Sequence, residues 1–100
     1  MKVKPFALYA QSAEIQARKI FKYMLVTGSI NRYEADQIGV CHLAARVQDL
    51  EEKGFLYRYQ DENGVADFHG IKHDKIRRYF IDWENMTPTA RAYFVGWIYD

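Results

Sequence analysis

The stretch NRYEADQIGVCHLAARVQDLEEKG, residues 31–54, decides how this chain is read. Asn31-Arg32-Tyr33-Glu34 has the form of a capping box, with an Asn cap and Glu at the third helical position. Each of the two side chains can satisfy backbone N–H groups that a helix start leaves open. Ala35 and Ile38 then point inward, and Gly39 stops a short helix where a tight turn needs backbone freedom. Past Val40 a second helix runs over 42–53, with Leu43, Val47 and Leu50 on one face and Ala44 beside them, until Gly54 ends it. The small Ala35 lets the two helices approach. Two helices of unequal length across a glycine turn make a helix-turn-helix pattern.

Working outward, an earlier helix starts at Ser12, a hydroxyl cap with Glu14 in the first turn where the helix dipole favours an acid. Ala17, Ile20, Phe21, Met24 and Leu25 form its apolar face; Arg18, Lys19 and Lys22 lie off it, and Gly28 ends it. After Gly54 the period changes. Residues 55–60 (Phe-Leu-Tyr-Arg-Tyr-Gln) are rich in strand formers, and Asp61-Glu62-Asn63-Gly64 reads as a turn. The partner strand is either Val65–His69 or the clearer run Ile76–Ile81; in the second case residues 61–75 form a long wing. Thr87-Pro88 opens a last helix carrying Ala90, Tyr93, Phe94, Trp97 and Ile98. The expected architecture is α+β, a winged helix-turn-helix with three N-terminal helices, a β-wing and a C-terminal helix, in one domain over residues 1–100. The aromatic last helix either packs on the first helix or forms a homodimer seam through Tyr93, Phe94 and Trp97.

Composition bounds the function. Hydrophobic residues make up 49% and charged residues 27% of the 100, a globular balance for one modest core. Aromatics reach 16%, serving either a ring-packed core or a base-stacking surface. Cys41 is the one cysteine, so no internal disulfide forms and an intracellular chain is expected. No apolar run has the length of a signal peptide or a membrane span. His69 and His73 are four apart but lack the Glu of a zinc-hydrolase helix, and with Cys41 they would still need a fourth ligand. No glycine-rich phosphate loop, nucleophile elbow or paired carboxylate occurs, so neither an enzyme nor a cofactor or metal is expected.

Ser29 to Val40, followed by Leu43-Ala44-Ala45-Arg46-Val47-Gln48-Asp49-Leu50 and Gly54-Phe55, resembles a family of small helix-turn-helix proteins of bacteriophages and prophages. The resemblance covers about half the chain. It implies a winged helix whose third helix reads double-stranded DNA, with Cys41, His42, Ala45, Arg46 and Asp49 facing the groove. It implies a transcription regulator in the cytoplasm of a bacterial host, of a kind that often acts as a dimer. The chain departs from the family pattern at Cys41 and His42, where relatives place Ser and Arg.

Charge complicates that expectation. The net charge is only +1. Over residues 31–54, Arg32, Arg46 and Lys53 stand against Glu34, Asp36, Asp49, Glu51 and Glu52, three against five, a balance of −2. Phosphates repel such a helix. The positive charge lies in residues 69–78, where Lys72, Lys75, Arg77 and Arg78 oppose Asp74 alone, a balance of +3, with His69 and His73 besides. The expectation is therefore a helix over 42–53 in the major groove and a basic wing on the backbone. Arg46 either pairs with guanine or bridges Asp49 or Glu34. The acidic helix also supports a second reading, a protein-binding phage inhibitor of host defence (anti-CRISPR-like) that docks on a host protein complex.

Overall fold

The computed structural model describes residues 12–99. Helix α1 (Ala13–Thr27) starts at Ser12, whose Oγ accepts from the Ile15 N–H at 3.2 Å, and closes on Gly28. Strand β1 (Ser29–Asn31) leads into α2 (Arg32–Gln37), and after the Gly39 turn comes α3 (Leu43–Glu52). Strands β2 (Tyr57–Glu62), β3 (Val65–Ala66), β4 (Lys72–His73) and β5 (Ile76–Ile81) make up the wing. A short 3-10 turn (Trp83–Asn85) passes the chain to α4 (Pro88–Ile98), capped by Thr87 Oγ1 on the Ala90 N–H at 3.1 Å. The described residues form a winged helix-turn-helix fold of four helices and a small antiparallel sheet.

The sheet settles the strand pairing. Its order is β1-β5-β2, with Tyr57 opposite Ile81 and Glu62 opposite Ile76. The later segment is thus the partner, and the wing is long. The turn expected at Asn63-Gly64 is not the hairpin tip. The tip lies at Phe68–Gly70, beyond a second ladder in which Val65 faces His73 and Ala66 faces Lys72. Asn63-Gly64 instead stands opposite Asp74-Lys75 as a joint between the two ladders. There the Lys75 N–H donates to Asn63 Oδ1 at 3.1 Å, and the Gly64 N–H donates to Asp74 Oδ1 at 3.0 Å. Gly64 and Lys75 both take left-handed backbone at φ 68° and 58°. Strand β1 was not expected: the sequence marks Asn31 as a cap and assigns no element to Ser29-Ile30, yet Ser29–Asn31 pair with Arg78–Phe80 on the free edge of β5.

The aromatic residues mainly build the core. Phe21 of α1 lies 5.0 Å from Phe94, 6.2 Å from Phe55 and 6.0 Å from Trp97, ring centre to ring centre. Phe21, Phe55 and Phe94 are fully buried, as are Ile20, Met24, Ile30, Val40 and Leu50. Each such ring pair adds roughly 0.5–1.5 kcal/mol beyond burial alone. Leu25, expected on the inner face of α1, is 38% exposed; the face turns away from it after Met24. Of the two readings of the last helix, the structure shows packing on α1: Phe94 and Trp97 are buried against Phe21, and Tyr93 is half-exposed.

Gly54 sets how closely α3 and α4 meet. Its φ of 98° is a left-handed conformation, and a Cβ there would lie 2.8 Å from the Ala90 Cβ. Among the described residues no helix is long and apolar enough to cross a membrane, and no group of three His, Cys, Asp or Glu side chains is placed to hold a metal ion.

Candidate nucleic-acid interface

Asn31 does more than start a helix. Its side chain, almost fully buried, accepts from the Tyr33 and Glu34 N–H groups at 3.0 and 2.9 Å, and its own N–H donates to Glu34 Oε1 at 3.0 Å. The capping box is complete, and Glu34 is thereby fixed in place. Arg78 of β5 then reaches that same carboxylate. Its Nη1 lies 2.9 Å from Glu34 Oε1 and its Nη2 3.3 Å from Oε2; Nε donates to Glu62 Oε1 at 3.0 Å, and Nη1 also donates to Ser29 Oγ at 3.0 Å. Burial opposes the charged form of Arg78, but hydrogen bonds to Glu34 and Glu62 outweigh it and hold the guanidinium above its ordinary pKa. Where the sequence suggested a phosphate contact from the wing, the structure gives Arg78 a structural place: it clamps α2, β1 and β2 to β5, with four hydrogen bonds from its five N–H donors made within the fold.

The acids of the helix-turn-helix are similarly placed. Arg46 Nε lies 2.9 Å from Asp49 Oδ2, a close ion pair whose N–H points off line for a hydrogen bond, with the Arg46 side chain only 19% exposed. Of its readings, the bridge to Asp49 is the one the structure shows. Glu51 and Glu52 sit at the C-terminal end of α3, and its first turn carries no acid. Of the five acids behind the −2 balance, Glu34 and Asp36 belong to α2, and the three on α3 all lie in its C-terminal half.

The other end opens into a groove of about 540 Å³ between the start of α3 and β5. Arg32, His42, Lys75 and Arg77 line it, with Cys41, Ala44 and Ala45 as small neighbours on the helix side, and among the described residues no carboxylate lines it. His42 occupies the cap position of α3 without a side-chain hydrogen bond, so the cap residue supplies no side-chain acceptor for the first N–H groups of this ten-residue helix. Free N–H groups and the positive end of the helix dipole favour an anion here. Arg77 is 3.3 Å from Asp61 Oδ1 and stacks 3.9 Å from the Tyr59 ring centre. Its hydrogen bond to Asp61 raises its pKa. Arg77 thus stays charged and oriented, half-exposed at the wall. Among the described residues Lys72 and Lys75 form no ion pair, and Lys75 projects from the left-handed joint of the wing.

The fold thus brings His42, Ala45, Lys75 and Arg77 to one groove and leaves Lys72 further along the wing. Arg46, Asp49 and Arg78 are engaged with protein partners. Arg32 joins the groove although the local reading counted it only as a charge. The carboxylates that cancel the wing's positive charge lie on the opposite strand, out of reach of a count along residues 69–78.

At the wing tip, Asp67 accepts from the His69 and Ile71 N–H groups at 2.8 and 3.0 Å, and His73 Nε2 donates to its other oxygen at 2.8 Å. The His73 hydrogen bond lowers the Asp67 pKa below the usual value of 3.8, against a smaller opposing effect of desolvation. The His73 ring rests 5.6 Å from that of Tyr33, so the distal wing leans on the start of α2.

Residues 15–83 match a family described as the winged helix-turn-helix domain. No curated protein and no solved structure matches the chain.

Proposed function

The chain belongs to the winged helix-turn-helix domain family, and from that premise we propose that it binds double-stranded DNA as a regulator of phage or prophage type. The observation that carries this reading is the groove between the α3 start and β5, lined by Arg32, His42, Lys75 and Arg77 and by no carboxylate among the described residues. A phosphate seated there meets free helix N–H groups on one side and wing cations on the other. The small side chains Ala44 and Ala45 let the backbone come close, and α3 then enters the major groove by its N-terminal half. In helix-turn-helix proteins that half carries the base contacts. The acids at the far end of α3 are held away from the phosphates. Lys72 extends the contact along the wing. Arg46 and Arg78 act through the fold rather than on DNA. The resemblance of residues 29–55 to phage helix-turn-helix proteins supports the phage assignment.

The test is fluorescence anisotropy on a labelled random-sequence duplex at low salt. Wild-type protein is expected to bind. Arg32→Ala with Lys75→Ala is expected to weaken binding at least tenfold, since each phosphate contact contributes to the counterion release that drives association. Absence of any duplex binding, together with a host protein retained after nuclease treatment, would replace this reading with the protein-docking one.

A further inference from the structure

Phe68 and Ile71 stand at the far end of the wing, 78% and 58% exposed. They contribute little buried area, yet the loop that carries them is tightly built. The Gly70 N–H bonds to the Asp67 carbonyl at 3.1 Å, and the Asp67 N–H to the Ile71 carbonyl at 2.9 Å. Gly70 takes left-handed backbone at φ 80°, giving a three-residue hairpin loop. The Asp67 carboxylate ties the loop from within through its bonds to His69, Ile71 and His73. An ordered loop holding an aromatic and a branched side chain in solvent has an apolar tip whose order is already fixed.

We propose that Phe68 and Ile71 form an apolar wedge that enters the minor groove beside the site of α3, unstacks one base step and bends the duplex. The inference rests on the DNA-binding reading and goes beyond it. Charge around the tip favours a nucleic acid as the occupant. Lys72 and Lys75 make no ion pair among the described residues, and His69 is exposed. The two distal carboxylates, Asp67 and Asp74, are both turned to donors of the wing itself. Reach agrees as well. From Lys75 at the groove back to Gly70, the strand rise allows at most about 17 Å. That is enough to pass from a phosphate strand into a minor groove about 6 Å wide. Apolar side chains inserted from the minor groove unstack steps and kink duplexes, most readily at flexible pyrimidine–purine steps.

The experiment uses the full chain and a set of duplexes with 2-aminopurine walked along one strand and a donor–acceptor pair at the ends. Wild-type protein is expected to raise 2-aminopurine fluorescence at one step and to shorten the end-to-end distance. Phe68→Ser with Ile71→Ser, both at exposed positions, is expected to keep salt-sensitive binding and to lose both signals; Phe68→Trp, which keeps a ring, retains them. Binding by wild type without unstacking, or unstacking that survives the double serine variant, overturns the wedge and leaves DNA binding standing. Failure of wild type to bind any duplex overturns both. A host protein captured by wild type and lost by the serine variant, with duplex bending unchanged, assigns the tip to protein docking and overturns the wedge.

Discussion

Residues of one chemical type divide here between holding the fold and facing outward. Arg78 bridges Glu34, Glu62 and Ser29 at 19% exposure. Removing it leaves two half-buried carboxylates without their cation. Arg78→Ala is expected to cost about 2 kcal/mol in urea unfolding, and Arg78→Lys to recover little, because an ammonium cannot match the two-point contact with Glu34. Lys75 is the contrast. Its φ of 58° strains an L-residue. Lys75→Gly relieves that strain but gains unfolded-state freedom, so stability should stay within about 1 kcal/mol of wild type while duplex affinity falls. Asp67 makes the wing tip acid-sensitive. Its pKa is depressed in the fold, so its contribution is complete above its ordinary value of 3.8 and disappears as pH falls through the lower folded value. The His69 and Ile71 amide resonances should hold steady down to about pH 4 and move toward open-turn values below it.

At the scale of elements, the close approach of α3 and α4 at Gly54 is the most exacting contact. Gly54→Ala combines a left-handed backbone with a Cβ placed 2.8 Å from that of Ala90, and is expected to cost about 3 kcal/mol by thermal or urea unfolding. The helices were legible in the sequence because caps and apolar spacing are local: Ser12, Asn31 and Thr87 each cap the helix they announce. The strands were less so. Ser29–Asn31 is too short to show a strand period and gains its partner from β5, far along the chain. Asn63-Gly64 carries the usual hairpin signal, but the left-handed backbone that Gly64 supplies serves a joint, matched across the wing by a lysine that no turn rule would nominate. The candidate site failed to show for the same reason. A charge count along residues 69–78 cannot see Asp61 and Glu62 on the facing strand, nor the pairing of Arg78 with α2.

Across the whole molecule, the fold sorts its nearly balanced charge. One end of α3 and one wall of the wing share a groove that no carboxylate lines among the described residues, while Glu34 and Asp49 sit in ion pairs and Glu51 and Glu52 at the other end of α3. The family match ends at residue 83, and α4 beyond it completes the ring-packed core through Phe94 and Trp97. A chain of net charge +1 has little long-range field, so its affinity for a duplex must come from this local arrangement. The salt dependence of duplex binding tests that claim most directly. Contacts from Arg32, Lys72, Lys75 and Arg77 predict that log K falls against log salt with a slope of about −3 to −4, and that Arg32→Ala with Lys75→Ala shallows it by about 2. A flat dependence in wild type, or a slope unchanged in the double variant, would contradict the account.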